Sequence, residues 1–393
     1  MGQTRNKLIM DKSIKEVKYI GFYDLPESEY RRVSTLAATN KMDYICDAIN
    51  RAGFNVHLVS PSWYDDDAYN AKFKTQTTLQ LNEQKRVTFC PSYGTKKRWF
   101  RNLKIIFTLL WLFFWLIMHV RRNEKIIVYH VQWLYLPIRW AKILIGFKLI
   151  LEVEEIYGKV WKNKEILQIW EQKLLKLADY YIAVSEVLAE ILGDKVKVII
   201  YGNYSIPNIQ IHSNNNGKIN VVYAGSIDHT KGGAYNAIKC VRFLPDNYML
   251  HICGFGKKAS VNELEQQISK INKELSRETC KYHGIIPDEQ FSDFLQSCQI
   301  ALNPQYDGEN MTTLFPSKII KYLSHNLRVV STRIKSIHES PFASLIVFSE
   351  TDTPESIALA IMNIHFDEDY NSISLIRSLD VKFVNEIKVT LES

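Results

Sequence analysis

Short apolar runs alternate with helix-spaced apolar residues along the chain, and this alternation breaks off once and then restarts. Val17–Phe22, Val56–Ser60, Ile126–His130, Leu149–Val153, Tyr180–Ser185 and Val196–Tyr201 read as strands of a first sheet. Met42, Ile45, Cys46 and Ile49, spaced by three and four, mark a helix between the first two. A strand–helix–strand rhythm implies parallel strands with helices on both faces. Tyr204–Lys218 is polar and rich in Pro, Asn and Gly, as a linker would be. Beyond it the rhythm resumes with Ile219–Gly225, Tyr248–Gly254, Tyr282–Ile286, Gln299–Pro304, Arg328–Thr332 and Leu345–Glu350. Ser372–Leu391 reads as a last helix.

The expected architecture is α/β: two doubly wound, Rossmann-like domains facing a central cleft. A length of 393 residues suits two such cores better than one. The expected domains are 1–203, a linker at 204–218, and 219–370. A helix at 371–393 is expected to pack back toward the first domain. Ligands of such folds bind beyond the carboxyl ends of the strands.

Charge divides unevenly. Residues 1–210 carry 31 Lys and Arg against 21 Asp and Glu, a net +10; residues 211–393 carry 18 against 21, a net −3. The first half is therefore the expected meeting place with something anionic. No zinc spacing, RNA-binding signature or basic helix supports nucleic acid, so none is expected as a partner. A membrane surface fits better, because Ile105–Met118 is fourteen residues without a charge, preceded by Arg98, Arg101 and Lys104 and followed by Arg121 and Arg122. That run is short for a bilayer span and suits an interfacial helix, with a buried core helix as the plainer alternative. A second basic and apolar stretch, Ile138–Ile150, adds to it. The six cysteines are scattered without a C-x-x-C pair, and the first ten residues are polar. A reducing cytosol without a signal peptide is the expectation.

Three motifs could carry chemistry. Gly225–Gly233 (GSIDHTKGG) follows a strand and opens a helix, so its glycines let amides approach a phosphate while Lys231 adds charge. Cys253-Gly254-Phe255-Gly256-Lys257 ends the next strand, where a plain turn is the competing reading. Thr313–Leu323 (TLFPSKIIKYL) places Pro316 at a helix start, with Ser317 and Lys318 beside its unpaired amides. A diphosphate could be held there, or Lys318 could be an ordinary solvated lysine.

Taken in order, YAGSIDHTKGG, HICGFGK, YHGIIPDEQFSDFLQSCQIALNP and LFPSKIIKYLSHNLRVVST resemble the retaining family-4 glycosyltransferases of GT-B fold. In the first half the best matches are NKMDYICDAINRAGFNVHLVSPS and ADYYIAVSEVLAEIL. The resemblance implies a metal-independent transfer of a sugar from a nucleoside diphosphate sugar, which is a substrate and not a cofactor. It implies a donor site at Gly225, Ser226, Lys231, Gly232, Gly254, Ile286, Thr313, Phe315, Pro316, Ser317, Lys318 and Lys321. Lys231 matches a diphosphate-contacting lysine. Three positions depart from the family: Ser226 stands for its usual arginine, and Thr313 and Lys321 stand for its usual pair of glutamates. Lys321 has only donors and cannot accept from a ribose hydroxyl while charged. Where the family often has a histidine near the reacting sugar, this chain has Glu154 with Glu155 beside it, the candidate catalytic residues. Solvated carboxylates capping a helix are the equal alternative there.

The expected acceptor is a lipid-linked saccharide in cell-surface polysaccharide synthesis, at the cytoplasmic face of the membrane. The rival expectation is a non-catalytic, glycosyltransferase-like scaffold subunit. Asp65, Asp66 and Asp67 read as a solvated turn and no metal site is expected. His130 ends a strand and either lines the cleft or is satisfied in place. Arg31 and Arg32 could reach an anionic acceptor or be surface charge.

Overall fold

The computed structural model describes residues 15–156, 165–208, 217–306 and 313–393. The first ten residues and 209–216, the middle of the expected linker, lie outside these.

In the first half β1 (Glu16–Ile20) and β2 (Asn55–Ser60) flank α1 (Leu36–Arg51). Next come β3 (Thr77–Gln80), β4 (Lys85–Phe89), α2 (Arg98–His119), β5 (Lys125–Tyr129), α3 (Tyr135–Ile145), β6 (Lys148–Val153) and α4 (Glu165–Leu177). β7 (Tyr180–Ala183), α5 (Glu186–Leu192) and β8 (Val196–Ile199) complete an eight-stranded sheet of order β3-β4-β2-β1-β5-β6-β7-β8. The second half contains β9 (Ile219–Ile227), α6 (Gly233–Cys240), β10 (Tyr248–Gly256), α7 (Lys258–Glu274), β11 (Cys280–Tyr282), α8 (Asp288–Gln296) and β12 (Ile300–Asn303). After these come α9 (Lys318–Leu323), β13 (Arg328–Ser331), α10 (Lys335–His338), β14 (Ile346–Phe348), α11 (Pro354–Met362) and α12 (Ser372–Glu392). Its six strands run β11-β10-β9-β12-β13-β14, and each neighbouring pair is parallel.

The two doubly wound sheets agree with the expected fold class. By packing, Met1–Val153, Trp161–Ile182 and Val384–Ser393 form one compact unit, and Glu154–Val160 with Ala183–Phe383 form the other. Local chemistry sets the helix ends. Thr35 accepts from the Ala38 amide at the start of α1, Ser185 accepts from Leu188 at α5, and Thr353 accepts from Ser356 at α11. Gly146, in the left-handed region at φ 78°, closes α3.

Several expectations need correcting. β3 pairs antiparallel with β4, a hairpin the strand reading overlooks because its Thr-rich run, TTLQ, is short and mostly exposed. The stretch Ile138–Ile150 spans two elements: α3 stops at Ile145 and Lys148 opens β6. β11 ends at Tyr282, four residues before Ile286, and β10 runs past Gly254 to Gly256. Arg32 is no surface charge. Its guanidinium is buried over the rings of Tyr64 and Phe89, 4.8 and 5.0 Å from their centroids. Arg31 is exposed. His130 is buried, its Nε2 3.7 Å from the buried carboxylate of Glu171. Asp65 accepts from the Asp66 amide at the start of a 3-10 turn, and Asp66 pairs with Arg101 at 2.7 Å.

Candidate functional site

The site in the second unit is built where β9 meets α6 and α9. β9 and β10 stay in register to their last pair, Ile227 with Gly256. They can do so because residue 254 lacks a side chain. A Cβ on Gly254, at φ 141°, would lie 1.8 Å from the carbonyl oxygen of Gly225. The Gly254 amide donates to Gly284 O at 2.8 Å and its carbonyl accepts from the Tyr282 hydroxyl at 2.9 Å. Both backbone groups are already engaged. Gly254 therefore serves close strand packing, and its amide is not available to a phosphate as the sequence suggests.

Above Gly225 sits Lys318. Its Nζ is 3.0 Å from where a Cβ on Gly225 would be and 4.2 Å from the centre of the Tyr223 ring. Tyr223 is buried and donates its hydroxyl to Ser226 O at 3.0 Å. The same hydroxyl fills the space a side chain at Gly233 would need, 2.6 Å from that Cβ position. Lys318 is aimed by its own helix. One turn on, Tyr322 places its hydroxyl against β9, accepting from Ala224 N at 2.7 Å and donating to Ala224 O at 3.3 Å. On the far side of α9, a Cβ on Gly202 would lie 3.1 Å from Ile320, so that loop packs closely.

The loop from Asp228 to Gly232 is held rigidly. The Asp228 carboxylate accepts from the Thr230 amide at 2.8 Å and from its hydroxyl at 2.7 Å, and these bonds lower its pKa. Gly232 N donates to Asp228 O at 3.2 Å. Gly232 is left-handed at φ 69° with the Tyr306 ring against it, 2.4 Å from a would-be Cβ. It caps α6, where Asn236 N donates back to Gly232 O at 2.8 Å. Tyr306 N donates to the carbonyl of Lys231, whose side chain is exposed.

Burial pushes the Lys318 ammonium down to about 7, and repulsion from Lys231 adds to that. Among the described residues no ion pair joins Lys318 to a carboxylate. Lys231 also faces the Asp228 carboxylate, whose pKa it helps to lower, so the cation without an ion-pair partner among the described residues is Lys318, set over a glycine-lined strand end where an anion can approach.

The structure brings Gly225, Ser226, Lys231, Gly232 and Lys318 together. Other expected positions lie elsewhere or serve packing. Phe315 is buried against Tyr201 and Phe342, with ring centres 5.0 and 5.8 Å away, so its side chain belongs to an aromatic core. Pro316 is buried and precedes the helix. It accepts from Ile319 N at 3.0 Å, and the exposed Ser317 is the residue before α9. Thr313 is half-buried and accepts through its carbonyl from Ser185 Oγ at 3.2 Å. Lys321 is exposed with its Nζ 5.9 Å from the Phe291 ring of α8, so Lys318 and Lys321 meet different neighbours. Ile286 is half-buried in the segment after β11. Glu154 and Glu155 follow β6, half-buried, and pack with the second unit. The sequence reading misses Tyr223, Tyr306 and Tyr322. The only signal was the four-residue spacing of Lys318 and Tyr322, which puts both on one helix face.

Comparison with known proteins bears on this geometry. Residues 218–367, which hold the whole corner, match the family described as Glycosyl transferases group 1. Solved structures align over nearly the entire chain. An Escherichia coli trehalose-6-phosphate enzyme bound with UDP-2-fluoro glucose aligns at TM-score 0.66 and 10% identity, over 96% of this chain and 98% of that one. The fold is GT-B. Sucrose-phosphate synthase from Thermosynechococcus elongatus gives TM-score 0.65 and 13% identity, over 95% and 94% of the two chains. Anabaena HepE in complex with UDP gives 0.63 and 14%, over 96% and 100%. No curated protein matches the sequence. The GT-B chain thus carries its group 1 match on the half that contains Lys231 and Lys318.

Proposed function

We propose that this GT-B chain is a glycosyltransferase that moves a sugar from a nucleoside diphosphate sugar to a lipid-linked saccharide. One observation carries the donor half of this reading: the Lys318 ammonium is held over Gly225 with Lys231 nearby and, among the described residues, no carboxylate paired to it. A diphosphate supplies the missing negative charge. As the sugar–phosphate bond breaks, negative charge grows on the departing diphosphate, and two fixed cations stabilise that growth without a metal ion. Uridine diphosphate sugars are the first donors to try, since similar folds were solved with UDP and with a UDP sugar.

Retention of anomeric configuration is proposed from the family resemblance. Glu154 or Glu155 would orient or deprotonate the acceptor hydroxyl. The acceptor, polysaccharide synthesis and the cytoplasmic membrane face rest on the basic first half and the apolar helix α2.

The test is thermal shift against uridine and guanosine diphosphates and their sugars, followed by transfer assays on the ligands that stabilise. Stabilisation that is lost in Lys318→Ala supports the site. A diphosphate that stabilises wild type and Lys318→Ala equally refutes it. Donor binding without transfer or hydrolysis would favour the scaffold reading, which Thr313 and Lys321 motivate by replacing the family's glutamates.

A further inference from the structure

In the first unit α2 is 22 residues long with a mean hydropathy of 1.6 over its most apolar window, enough by length and composition to cross a bilayer. Its packing argues against crossing. Lys104, Thr108, Leu112, Trp115 and Leu116 form a buried seam at four- and three-residue spacing. Lys104 Nζ donates to Tyr64 O at 2.6 Å, Thr108 lies 3.8 Å from the Cys90 thiol, and Trp115 meets the His57 ring of β2 edge-on at 5.2 Å. A helix tied to its own sheet along three turns cannot also pass through lipid, where these polar groups would lose their partners.

The opposite face is uncovered. Ile106, Leu110, Phe114 and Met118 are 54, 52, 57 and 71% exposed. The neighbouring α3 adds Trp140 and Leu144 at 49 and 66%. Monomeric proteins seldom leave such a contiguous apolar surface in water. Its borders are basic. Lys96, Lys97 and Arg98 are exposed at the start of α2, and Arg121 and Arg122 just past its end. From Gln84 to Asn123 the chain carries nine Lys and Arg and no Asp or Glu.

We infer that the outer face of α2 and α3 seats the chain on an anionic lipid bilayer, with α2 lying in the plane of the interface and not spanning it. Apolar side chains enter the acyl boundary, and the cations at both helix ends meet lipid phosphates. This deepens the membrane element of the proposed function and rests on it, but it does not require sugar transfer to occur.

The experiment is sedimentation of the full chain with vesicles of phosphatidylcholine alone or mixed with phosphatidylglycerol. Anionic vesicles are expected to bind it at least about tenfold more tightly, and high salt is expected to weaken that binding. The double variant Leu110→Glu, Phe114→Glu should lose vesicle binding by a further factor of about ten while keeping its melting temperature, since both side chains point to solvent. Failure to bind either vesicle overturns the inference, as does binding that ignores the double variant. So does a solution dimer that the variant dissociates in a chain that does not bind vesicles. Donor-induced thermal shift, measured on the same variant, separates this outcome from failure of the donor site.

Discussion

Lys104 and Lys318 are both lysines whose ammonium burial holds below the usual lysine range, and they use the charge in opposite ways. Lys104 is 1% exposed and donates a hydrogen bond to the carbonyl of Tyr64, in the field of Asp65 and Asp66. Its charge is answered inside the protein. Lys318 stays within reach of solvent, rests on a ring, and has another lysine as its main charged neighbour. Its charge awaits an answer from outside. Burial alone therefore does not mark a functional lysine; a buried cation repelled by another cation is the more telling sign.

That contrast can be broken most directly at Lys318. Replacing it with Ala should weaken diphosphate binding about a hundredfold, roughly 2.7 kcal/mol, measured by calorimetric titration. Without ligand, Lys318→Met should melt higher than wild type, because an unsatisfied charge is removed. Lys104→Met should do the reverse. It should destabilise the first unit by about 1–3 kcal/mol in urea unfolding by orphaning the Tyr64 carbonyl, and leave diphosphate affinity unchanged. Equal effects of the two substitutions on binding would end the distinction.

pH sharpens it further. Lys318 binds a proton more weakly when folded than unfolded, so its contribution to stability rises with pH between about 7 and the ordinary lysine value and is level below about 7, where both states hold the proton. Diphosphate binding needs the charged form, so affinity should decline about tenfold per pH unit above 7. Lys318→Arg should flatten that decline, because a guanidinium stays charged. The smallest effect is expected at Lys231, whose side chain is exposed. Lys231→Gln should cost only a few-fold in affinity and move the pH decline upward by removing a repulsion, visible in the same titrations.

How much of this the sequence disclosed depends on what each residue's role requires. The parallel sheets were legible because buried strands leave unbroken apolar runs, as in Ile126–Tyr129 and Val221–Ala224. Gly225, Lys231 and Lys318 stood out in the sequence because a glycine after a strand and a lysine at a helix start are what an anion site would ask for, and the structure brings the three together. Gly254 misled, since the letter shows a missing side chain and not whether the amide beside it is occupied. Phe315 and Arg32 misled for a related reason: an aromatic or cationic side chain reads the same in a site and in a core, and only its neighbours, such as Tyr201 or Tyr64, decide. Tyr322 left almost no trace, because its hydroxyl works on Ala224, 98 positions away along the chain.

The phenol of Tyr322 stands where a neighbouring strand's peptide group would otherwise be, engaging both the N–H and the C=O of Ala224. Helix α9 is thereby stitched to the main chain of β9 through a single oxygen. Any pull an anion exerts on Lys318 reaches Gly225 and Ser226 through that stitch, so the ammonium and the strand end that frames it must travel as one piece.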